Sequence, residues 1–453
     1  MARSAVPINA SSAPVRMVEA GPPVNRRIVI VGGGVAGLSL ATALGRQSQR
    51  GRKAHQVTLI DRDSAHVWKP MLHTVAAGTR DVSQQQTSYI AQARAAGFDY
   101  HPGDICGLDR AGQRILLAPM RAPDGRLLIE KRWFHYDALV FAVGSEANDF
   151  GTPGVDKYCF TIDSRRQAEA FNLEVRLQIL QCLAQDHQLS IAIVGGGATG
   201  VELAAELVHL AETAEAYGAK NLHSKIQITL IEGGGRLLPA FPEVISSGAQ
   251  RQLERLGIHV LTNVRVTAAT ADGFVLRDRG VLPASVRVWA AGVKAPSFLA
   301  DIDGLETTPS HQLLVRPSLQ TTRDPKVYAL GDCASLTPEG GARPLPPTAQ
   351  VADQQAQHLM RHLLVALSEN VPVPAFRYRD FGALVSLANY EAYGSLGKFG
   401  LLKQATIRGA LAQVSHALLY RRHQARLFGF WRGGLLWLVD QLNRRLKSSI
   451  RLD

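Results

Sequence analysis

The chain repeats one pattern twice: an apolar run, a glycine cluster, a helical stretch and a second apolar run that ends in an acid. The first copy spans residues 27–61 and ends in Asp61, and the second spans residues 190–232 and ends in Glu232. Short β-branched runs that end in glycines are typical of buried parallel strands. Successive strand–helix–strand units predict an α/β fold. The repeat therefore predicts two doubly wound α/β domains within one chain.

Each glycine cluster has the spacing GxGxxG directly after a strand. The first glycine permits a tight turn, the second lets the backbone approach a pyrophosphate, and the third lets helix and strand pack closely. The following helix offers N–H donors to phosphates, and the strand-end acid can accept hydrogen bonds from ribose hydroxyls. The alternative is a packing turn without a ligand. The spacing predicts one Rossmann-type dinucleotide site at Gly32, Gly34, Gly37 and Asp61, and another at Gly195, Gly197, Gly200 and Glu232.

The second site is expected to prefer NADH over NADPH. A carboxylate at Glu232 would repel the 2′-phosphate of NADPH. Arg236 lies close enough in the sequence to weaken this expectation. The alternative for Glu232 is a solvated acid at a strand end.

The net charge of +12 is concentrated at the C-terminus. Residues 401–453 hold ten Lys and Arg but two acids, whereas residues 28–400 carry a net charge of only +1. A nucleic-acid enzyme usually carries its basic groove across the body of the fold. The charge distribution therefore argues against a nucleic-acid partner and favours an anionic membrane surface.

The basic tail is predicted to form amphipathic helices between residues 405 and 450. No apolar run of about 18 residues exists, so a membrane-spanning helix is not expected. An apolar stripe with neighbouring Trp and Arg residues is typical of a helix that lies in the membrane interface. Gly433 and Gly434 are predicted to separate two such helices. The alternative is an ordinary amphipathic helix that packs on the body. The stripe comprises Leu435, Leu438, Val439, Leu442, Leu446 and Ile450, with Trp431 and Trp437 beside it.

The four cysteines exclude several classes of protein. Four cysteines in 453 residues do not make a disulfide scaffold, and the absence of a CxxC pair excludes zinc ribbons and dithiol redox motifs. No metal site is expected. Residues 1–25 are rich in Ala, Ser, Pro and Val and are predicted to be a disordered extension, with a weak targeting presequence as the alternative.

Further elements carry a family resemblance. A strand at residues 327–330 ends in Gly331-Asp332, and two other strands close at Gly144 and Gly292 without a glycine fingerprint. With the two fingerprints, these elements resemble the two-dinucleotide flavoprotein reductases, in which an FAD domain and an NAD(P)H domain are paired. In that family the acid that matches Asp332 holds the ribityl chain of FAD. The alternative for Asp332 is an acid in a turn.

Four stretches narrow the resemblance to one branch of that family. They are HVWKPMLH at residues 66–73, GGGATGVELAAEL at 195–207, WAAGV at 289–293 and AQVADQ at 349–354. Together they look like the bacterial branch of the type II NADH dehydrogenases, the single-chain, non-proton-pumping NADH:quinone oxidoreductases. The likeness runs from about residue 27 to the C-terminus.

The resemblance implies an FAD domain with an inserted NADH domain. The FAD-binding domain is expected at residues 26–160 and 301–385, the NADH-binding domain at 161–300, and a membrane-anchoring region at 386–453. FAD and NADH are the expected cofactors. Additional FAD contacts are expected from Ala36, Lys69, Ala142, Gly144, Gly331, Asp332 and Ala349, and additional NADH contacts from Thr199, Ala291 and Gly292.

Three polar side chains are the catalytic candidates. Gln350 and Gln354 are four residues apart, so they share a helix face, and their uncharged amides can bind a nicotinamide carboxamide or a quinone carbonyl. By the resemblance, Glu202 lies near nicotinamide and flavin, where a carboxyl group could relay a proton towards quinone. The alternatives are surface or helix-capping glutamines and a first-turn acid that the helix dipole favours.

The expected reaction is NADH oxidation by FAD and two-electron reduction of a membrane quinone, with hydride transfer first and quinone reduction second. A homodimer at the cytoplasmic face of the plasma membrane, in peripheral contact with anionic lipid, is expected. A sulfide:quinone oxidoreductase would need a reactive cysteine pair at the flavin, for which Cys159 could supply only one member. A soluble ferredoxin or monooxygenase reductase would leave the basic tail unexplained. A redox sensor that binds NADH without catalysis is the remaining alternative.

Overall fold

The computed structural model describes residues 16–17, 26–50, 55–80, 86–185, 187–396 and 406–446. Most of the predicted disordered extension lies outside these residues. Within it, Arg16–Met17 forms a short parallel strand against Arg132–Trp133. The prediction of disorder does not hold for these two residues, because a sheet edge offers unpaired N–H and C=O groups to a passing chain.

The strands of the described residues are, in chain order, β1 (Arg16–Met17), β2 (Arg27–Val31), β3 (Gln56–Asp61), β4 (Ala65–His66), β5 (Thr87–Ser88), β6 (Asp99–Pro102), β7 (Ile105–Asp109), β8 (Arg114–Leu117), β9 (Met120–Arg121), β10 (Leu127–Ile129), β11 (Arg132–His135), β12 (Ala138–Phe141), β13 (Glu146–Ala147), β14 (Leu189–Val194), β15 (Ile226–Ile231), β16 (His259–Leu261), β17 (Val266–Ala269), β18 (Gly273–Leu276), β19 (Gly280–Pro283), β20 (Val286–Trp289), β21 (Val293–Lys294), β22 (Leu313–Leu314), β23 (Val327–Ala329), β24 (Ala334–Ser335), β25 (Gly382–Leu387), β26 (Glu391–Leu396) and β27 (Thr406–Arg408).

The α-helices of the described residues are α1 (Val35–Arg50), α2 (Leu72–Ala77), α3 (Tyr89–Ala96), α4 (Val155–Tyr158), α5 (Arg165–Ala184), α6 (Ala198–Ala216), α7 (Leu222–Lys225), α8 (Glu243–Arg255), α9 (Ala349–Glu369), α10 (Ala410–Phe428) and α11 (Phe430–Leu446). Short 3-10 helices occur at Lys69–Met71, Ser297–Asp301 and Gly331–Cys333.

The first nucleotide-type domain is built on a five-stranded parallel sheet with the order β23-β12-β2-β3-β6. Its central strands are buried on both faces, which explains their continuous runs of Val, Ile and Leu. Helices α1 and α9 pack together beside the sheet and contribute to the same core. Because β23 arrives from residue 327, this domain is formed by two separate parts of the chain.

The second domain is built on a four-stranded parallel sheet with the order β16-β15-β14-β20. All four strands come from residues 189–289, so its sheet is one continuous chain segment. Its core also includes Val385, Leu387 and Tyr393 from the β25–β26 hairpin. The prediction of two doubly wound α/β domains is confirmed.

The C-terminal helices occupy two different environments. On α10, Tyr420, His423 and Leu427 are buried against the first domain. On α11, the described large apolar side chains are exposed; these are Trp431, Leu435, Leu436, Trp437, Leu438, Val439 and Leu442. The docked-helix interpretation therefore fits the buried face of α10. Most of the exposed apolar side chains belong to α11, and Leu418 and Leu419 of α10 are exposed as well. Ile450 lies outside the described residues. No helix within the described ranges is long and apolar enough to cross a membrane.

The helix break does not lie at Gly433 and Gly434, and that prediction is wrong. The break is at Gly429, whose φ of 86° and ψ of 165° suit only glycine. The Gly433 N–H donates to Gly429 O, so the helix continues through the glycine pair. A Cβ at Gly433 would lie 3.3 Å from Ala425 Cα. Gly433 is therefore the point where α11 crosses closely over α10.

Candidate functional site

The first glycine turn joins β2 to α1 and has three glycines with different requirements. Gly32 has a φ of 100°, and a Cβ at this position would overlap the backbone oxygen of Ala142. A Cβ at Gly37 would overlap the backbone oxygen of Gly32. A Cβ at Gly34 would have no atom nearer than 4.0 Å. The fold itself therefore requires glycine at the outer two positions. At Gly34 the open space suits the approach of a phosphate to the backbone at the start of α1.

The second turn, between β14 and α6, repeats this geometry. Gly195 has a φ of 119°, and its Cβ would lie 2.5 Å from Ala290 O. A Cβ at Gly200 would overlap Gly195 O, whereas a Cβ at Gly197 would meet no atom within 4 Å. The free space again faces the second glycine of the fingerprint. The two turns thus have the same division between packing positions and an open position.

The strand-end acids bind the glycine turns. Asp61 Oδ2 accepts the Gly33 N–H at 2.5 Å, and Glu232 Oε2 accepts the Gly196 N–H at 2.7 Å. Each carboxylate oxygen has two lone pairs, so each acid retains acceptor capacity for a ribose hydroxyl. Burial raises the pKa of Asp61, although its bonds from backbone N–H groups act in the opposite direction. Arg236 donates to the backbone oxygens of Pro239 and Phe241, so its guanidinium holds its own loop.

Two adjoining cavities follow the first domain from its glycine turn to the second domain. The outer cavity, of about 490 Å³, is lined by Gly32, Asp61 and Lys69 among others, and its lining is about equally polar and apolar. The inner cavity, of about 380 Å³, is mostly apolar and extends to Glu202 and Leu384. Both are lined by Gly34, Lys69, Ala142, Gly144 and Ser145, so they form one continuous cleft.

This cleft suits FAD. An open phosphate position at Gly34 lies between a polar end at Asp61 and an apolar end at Leu384, which matches a dinucleotide with one flat aromatic head. Every predicted FAD contact except Gly37 lines one cavity or both; these are Gly32, Gly34, Ala36, Asp61, Lys69, Ala142, Gly144, Gly331, Asp332 and Ala349. Gly37 serves the packing of the turn.

Three residues far apart in the sequence form a polar bridge across the cleft. Lys69 Nζ donates to the backbone oxygen of Ser145 at 2.7 Å, and Ser145 Oγ donates to Asp332 Oδ2 at 2.7 Å. Lys69 Nζ also lies 3.8 Å from Asp163 Oδ1. Gln355, which is fully buried, accepts the Gly331 N–H at 2.7 Å and fixes the turn that presents Asp332. Ser145, Asp163 and Gln355 were not predicted, because no local motif marks them.

Glu202 lines the inner cavity from the second turn of α6, so the alternative of a first-turn acid does not apply. Its Oε1 accepts the Ser386 N–H at 3.0 Å, and its Oε2 lies 3.4 Å from His73 Nδ1. Burial, and to a smaller extent the neighbouring Glu206 carboxylate, raise the pKa of the Glu202 carboxyl to about 8, although the hydrogen bond from the Ser386 N–H acts in the opposite direction. Glu202 is therefore a carboxyl group that holds its proton at neutral pH in a substrate-sized cavity. His73 also lines this cavity; it lies in a stretch that carried the family resemblance, but the sequence did not give it a role.

Gln350 and Gln354 share one face of α9, and that face is turned away from the cavity. Gln350 Oε1 accepts from Tyr378 Oη at 2.7 Å and from Phe381 N at 3.0 Å. The Gln354 side chain donates a hydrogen bond to the backbone oxygen of Arg379 and accepts one from the Arg379 N–H. Both amides thus bind residues 378–382, and neither lines the inner or the outer cavity. From the start of this helix, Ala349 and Ala352 line the inner cavity, next to Pro347.

The predicted NADH contacts fall into two groups. Thr199 and Gly292 line the inner cavity together with Trp289, whose contribution was not predicted. Gly195, Gly197, Gly200, Glu232 and Ala291 belong to the second glycine turn and its surroundings, outside the two cavities. The second turn therefore opens beside the cleft, with the start of α6 at the border between them.

The cysteines do not belong to the cleft. None of the four lines either cavity, and burial raises the pKa of the Cys159 and Cys333 thiols to about 12. A thiol that stays protonated is a poor nucleophile. Among the described residues, no cluster of three or more His, Cys, Asp or Glu could hold a metal ion. A cysteine-based mechanism at the flavin thus has no support.

Comparisons with known proteins agree with this geometry. Residues 26–356 match the pyridine nucleotide-disulphide oxidoreductase family. A type II NADH:quinone oxidoreductase from Haemophilus influenzae is 42% identical over 94% of this chain and all of the relative. One from Staphylococcus saprophyticus is 27% identical over 82% of this chain and 89% of its own length. In fold, NDH2 from Plasmodium falciparum, solved in complex with NADH, superposes with a TM-score of 0.78 at 20% identity, covering 95% of this chain and all of that one. The chain therefore belongs to the type II NADH:quinone oxidoreductases, within the pyridine nucleotide-disulphide oxidoreductase family.

Proposed function

We propose that the protein oxidises NADH and reduces a membrane quinone by two electrons at a bound FAD, without pumping protons. The inner cavity carries this proposal, because both glycine-turn domains line it and a buried carboxyl group, Glu202, faces it. Bound FAD supplies the redox chemistry, accepting a hydride from NADH and passing two electrons to the quinone. The residues of the chain bind and orient the cofactor and the two substrates, and they supply a proton to the quinone.

The outer cleft would hold the nucleotide part of FAD. The backbone N–H groups at the start of α1 would bind the pyrophosphate, and Asp61 would bind ribose hydroxyls. The hydrogen-bonded bridge of Lys69, Ser145 and Asp332 would hold the ribityl chain of the cofactor. NADH would bind at the second turn, where Gly197 leaves space for its pyrophosphate and Glu232 favours it over NADPH. The domain boundaries given above from the resemblance are part of this proposal.

Glu202 is proposed to hold a proton for the quinone. Its Oε1 is occupied by the Ser386 N–H, so Oε2, on the side of His73, is the oxygen that carries the proton. A carboxyl group whose pKa lies near 8 can both give and regain a proton at neutral pH, as general acid catalysis requires.

Gln350 and Gln354 are better explained as positioning residues. Their amides hold residues 378–382, which lead directly into β25 and thus to Ser386, the partner of Glu202. Contact of either amide with nicotinamide or quinone would require these bonds to break. That contact stays a prediction.

The proposed membrane contact is made by α11. Its exposed Leu and Trp side chains and the exposed Arg432 suit the boundary between headgroups and acyl chains of an anionic bilayer. Truncation after Gly429 should release the protein from vesicles of anionic lipid while leaving α10, and hence the flavin site, in place. Full retention on vesicles by the truncated protein would contradict the proposal. The cytoplasmic side and a homodimer remain predictions.

Rapid mixing of the purified yellow protein with NADH tests the activity. NADH should bleach the flavin absorbance, and a short-chain quinone should then restore it, with steady-state kinetics of the ping-pong type. NADPH, sulfide and reduced ferredoxin serve as control donors. A flavin that stays oxidised in excess NADH would exclude the proposed activity and favour a non-catalytic NADH-binding role.

A further inference from the structure

A third cavity, of about 280 Å³, lies outside the cleft, where α1 and α3 meet the junction of α10 and α11. Its volume is just below the ~300–1,000 Å³ that is usual for sites of drug-sized ligands, so it suits one small polar group. Two of its lining residues, Arg46 and Arg432, are cations, and no acid of the described ranges lines it. The other lining residues are Gln86, Thr87, Ser88, Ala91, Gln92, Ala95, Leu427 and Phe428.

Arg46 binds the end of α10 and retains donors for a ligand. Its Nη1 donates to Arg426 O at 3.1 Å, and its Nη2 donates to Leu427 O at 2.5 Å. Gln92 Nε2 donates to the same Leu427 oxygen at 2.8 Å. These oxygens belong to the last turn of α10, where carbonyl groups have no partner within the helix. A guanidinium has five N–H donors, so these two bonds leave three on Arg46.

Arg432 is held at the cavity by the crossing of α11 over α10. It lies in the first turn of α11, next to Gly433, whose close approach to Ala425 fixes this turn. Its side chain is exposed and forms no hydrogen bond or ion pair with the part of the chain that the structure describes. The neighbouring Arg426, by contrast, is paired with Asp353. Arg432 is therefore a cation whose charge no partner in the described fold offsets.

The positive charges around the cavity repel one another. Burial and the charges of Arg50 and Arg432 lower the pKa of the Arg46 guanidinium, and no acid of the described residues counteracts them. An anion between Arg46 and Arg432 would replace this repulsion by charge-assisted hydrogen bonds, which are about twice as strong as neutral ones. The planar guanidinium group matches the geometry of a phosphate. The cavity therefore favours a phosphate group as its ligand.

The apolar side chains beside the cavity favour a phospholipid over free phosphate. Leu427 and Phe428 form part of the cavity wall. Ile90, at the start of α3, is 68% exposed, and Trp431, in the first turn of α11, is 86% exposed. The exposed apolar side chains of α11 continue from this point. A phosphate that carries acyl chains could place its charge between the arginines and its chains along these apolar side chains.

We propose that this cavity binds the phosphodiester headgroup of one anionic phospholipid, with Arg46 and Arg432 in contact with the phosphate. This proposal rests on the membrane contact proposed above for α11. It goes further, because a headgroup site takes one lipid per chain, whereas the attraction of basic residues to an anionic surface is spread over many lipids. The Ser88 hydroxyl oxygen accepts the Ala91 N–H and still has its proton to donate to the headgroup.

A short-chain lipid tests the site without a membrane surface. Dihexanoyl phosphatidylglycerol, below its micelle concentration, is titrated into the flavin-loaded full chain by calorimetry. The wild type should bind one lipid per chain with saturation. Arg432→Gln should fold, because the side chain is exposed and unbonded within the described fold, and should bind the lipid about 10-fold more weakly or worse, since a charged hydrogen bond is lost.

Arg422→Gln is the matched control. Arg422 is an exposed arginine of α10 that does not line the cavity, so this variant loses the same charge from the same part of the chain. It should bind the monomeric lipid as the wild type does. On vesicles that contain phosphatidylglycerol it should lose only the salt-sensitive attraction of one surface charge, so Arg432→Gln should be the weaker binder of the two.

Two other ligands separate the possible sources of the phosphate. Dihexanoyl phosphatidylcholine should bind more weakly, because its cationic choline group is repelled by the arginines. Inorganic phosphate should also bind more weakly, because it buries no acyl chain. Inorganic phosphate that binds as tightly as the anionic lipid would overturn the assignment to a phospholipid.

The remaining outcomes separate this site from the membrane contact on which it rests. Binding without saturation in the wild type, or equal affinity of Arg432→Gln and Arg422→Gln for the monomeric lipid, would overturn the site. A wild type that binds the monomeric lipid with saturation but does not bind phosphatidylglycerol vesicles would support the site and contradict the membrane contact of α11.

Discussion

Replacement of Glu202 by glutamine should make the protein more stable, and the gain should depend on pH. Burial raises the pKa of this carboxyl from 4.5 in the unfolded chain to about 8 in the fold. A raised carboxyl pKa means that the folded state binds the proton more tightly. The stability that this proton provides is therefore complete below pH 4.5 and is lost as the pH rises to about 8. At 1.36 kcal/mol per pH unit, the ionised carboxyl destabilises the fold by about 5 kcal/mol above pH 8.

The amide of Glu202→Gln reproduces the protonated carboxyl without this penalty. Its oxygen can accept the Ser386 N–H, and its NH₂ group can face His73 Nδ1. Urea unfolding of the flavin-loaded proteins at pH 5, 7 and 9 should show a difference that grows with pH and then levels off. The control variant Glu215→Gln, at a half-buried position near the C-terminal end of α6, should follow the wild type throughout. Parallel pH dependence in wild type and Glu202→Gln would refute the reasoning, because it would mean that Glu202 ionises freely in the fold.

Three further predictions concern the NADH site and the docking of α10. Gly197→Ala should fold and retain flavin but bind NADH about 10- to 100-fold more weakly in a fluorescence titration, since one or two charged hydrogen bonds between the turn and the pyrophosphate are lost. In Gly200→Ala the new methyl group overlaps the backbone, so this variant should instead reduce the yield of folded protein. Glu232→Gln should raise kcat/KM for NADPH relative to NADH by ~10-fold, and an unchanged ratio in steady-state assays would contradict the proposed role. Burial lowers the pKa of His66 to about 4 and that of His423, 3.1 Å away, well below its usual value. The stability that the two neutral rings provide is therefore complete above pH 6.5, and the contribution of His66 alone falls by about 3 kcal/mol as the pH falls to 4. The protection of the α10 amides against hydrogen exchange, taken relative to the intrinsic exchange rate at each pH, should fall accordingly. Equal protection at pH 7 and 4.5 would rule this out.

The features that the sequence predicted well are those whose constraint is local. The glycine turns and the acids at the strand ends were identified because a tight turn, a helix start and a strand end lie within one short segment. The repeat of this unit was sufficient for the fold class. The structure adds that Gly32 and Gly37 serve packing, whereas Gly34 leaves the open position.

The features that the sequence did not reveal depend on contacts between distant segments. His73 and Glu202 meet across 129 positions of the chain, and no spacing rule connects them. Gln350 and Gln354 were correctly placed on one helix face, but their partners at residues 378–382 could not be anticipated from the helix alone. The break at Gly429 was missed because a glycine pair looks like a stronger break than one glycine. Only the backbone angles and the crossing at Ala425 distinguish the two roles.

The bridge of Lys69, Ser145 and Asp332 has a consequence for how the protein is made. Its three members become available at very different times during translation. Asp332 emerges only after β23, and the start of α9, which completes the same cleft, emerges later still. The sheet of the second domain, by contrast, is complete once residue 289 has left the ribosome. Domains generally fold as units during synthesis. The nascent chain is therefore expected to acquire its NADH pocket before it can capture FAD, so a chain arrested near residue 300 should bind NADH and remain colourless.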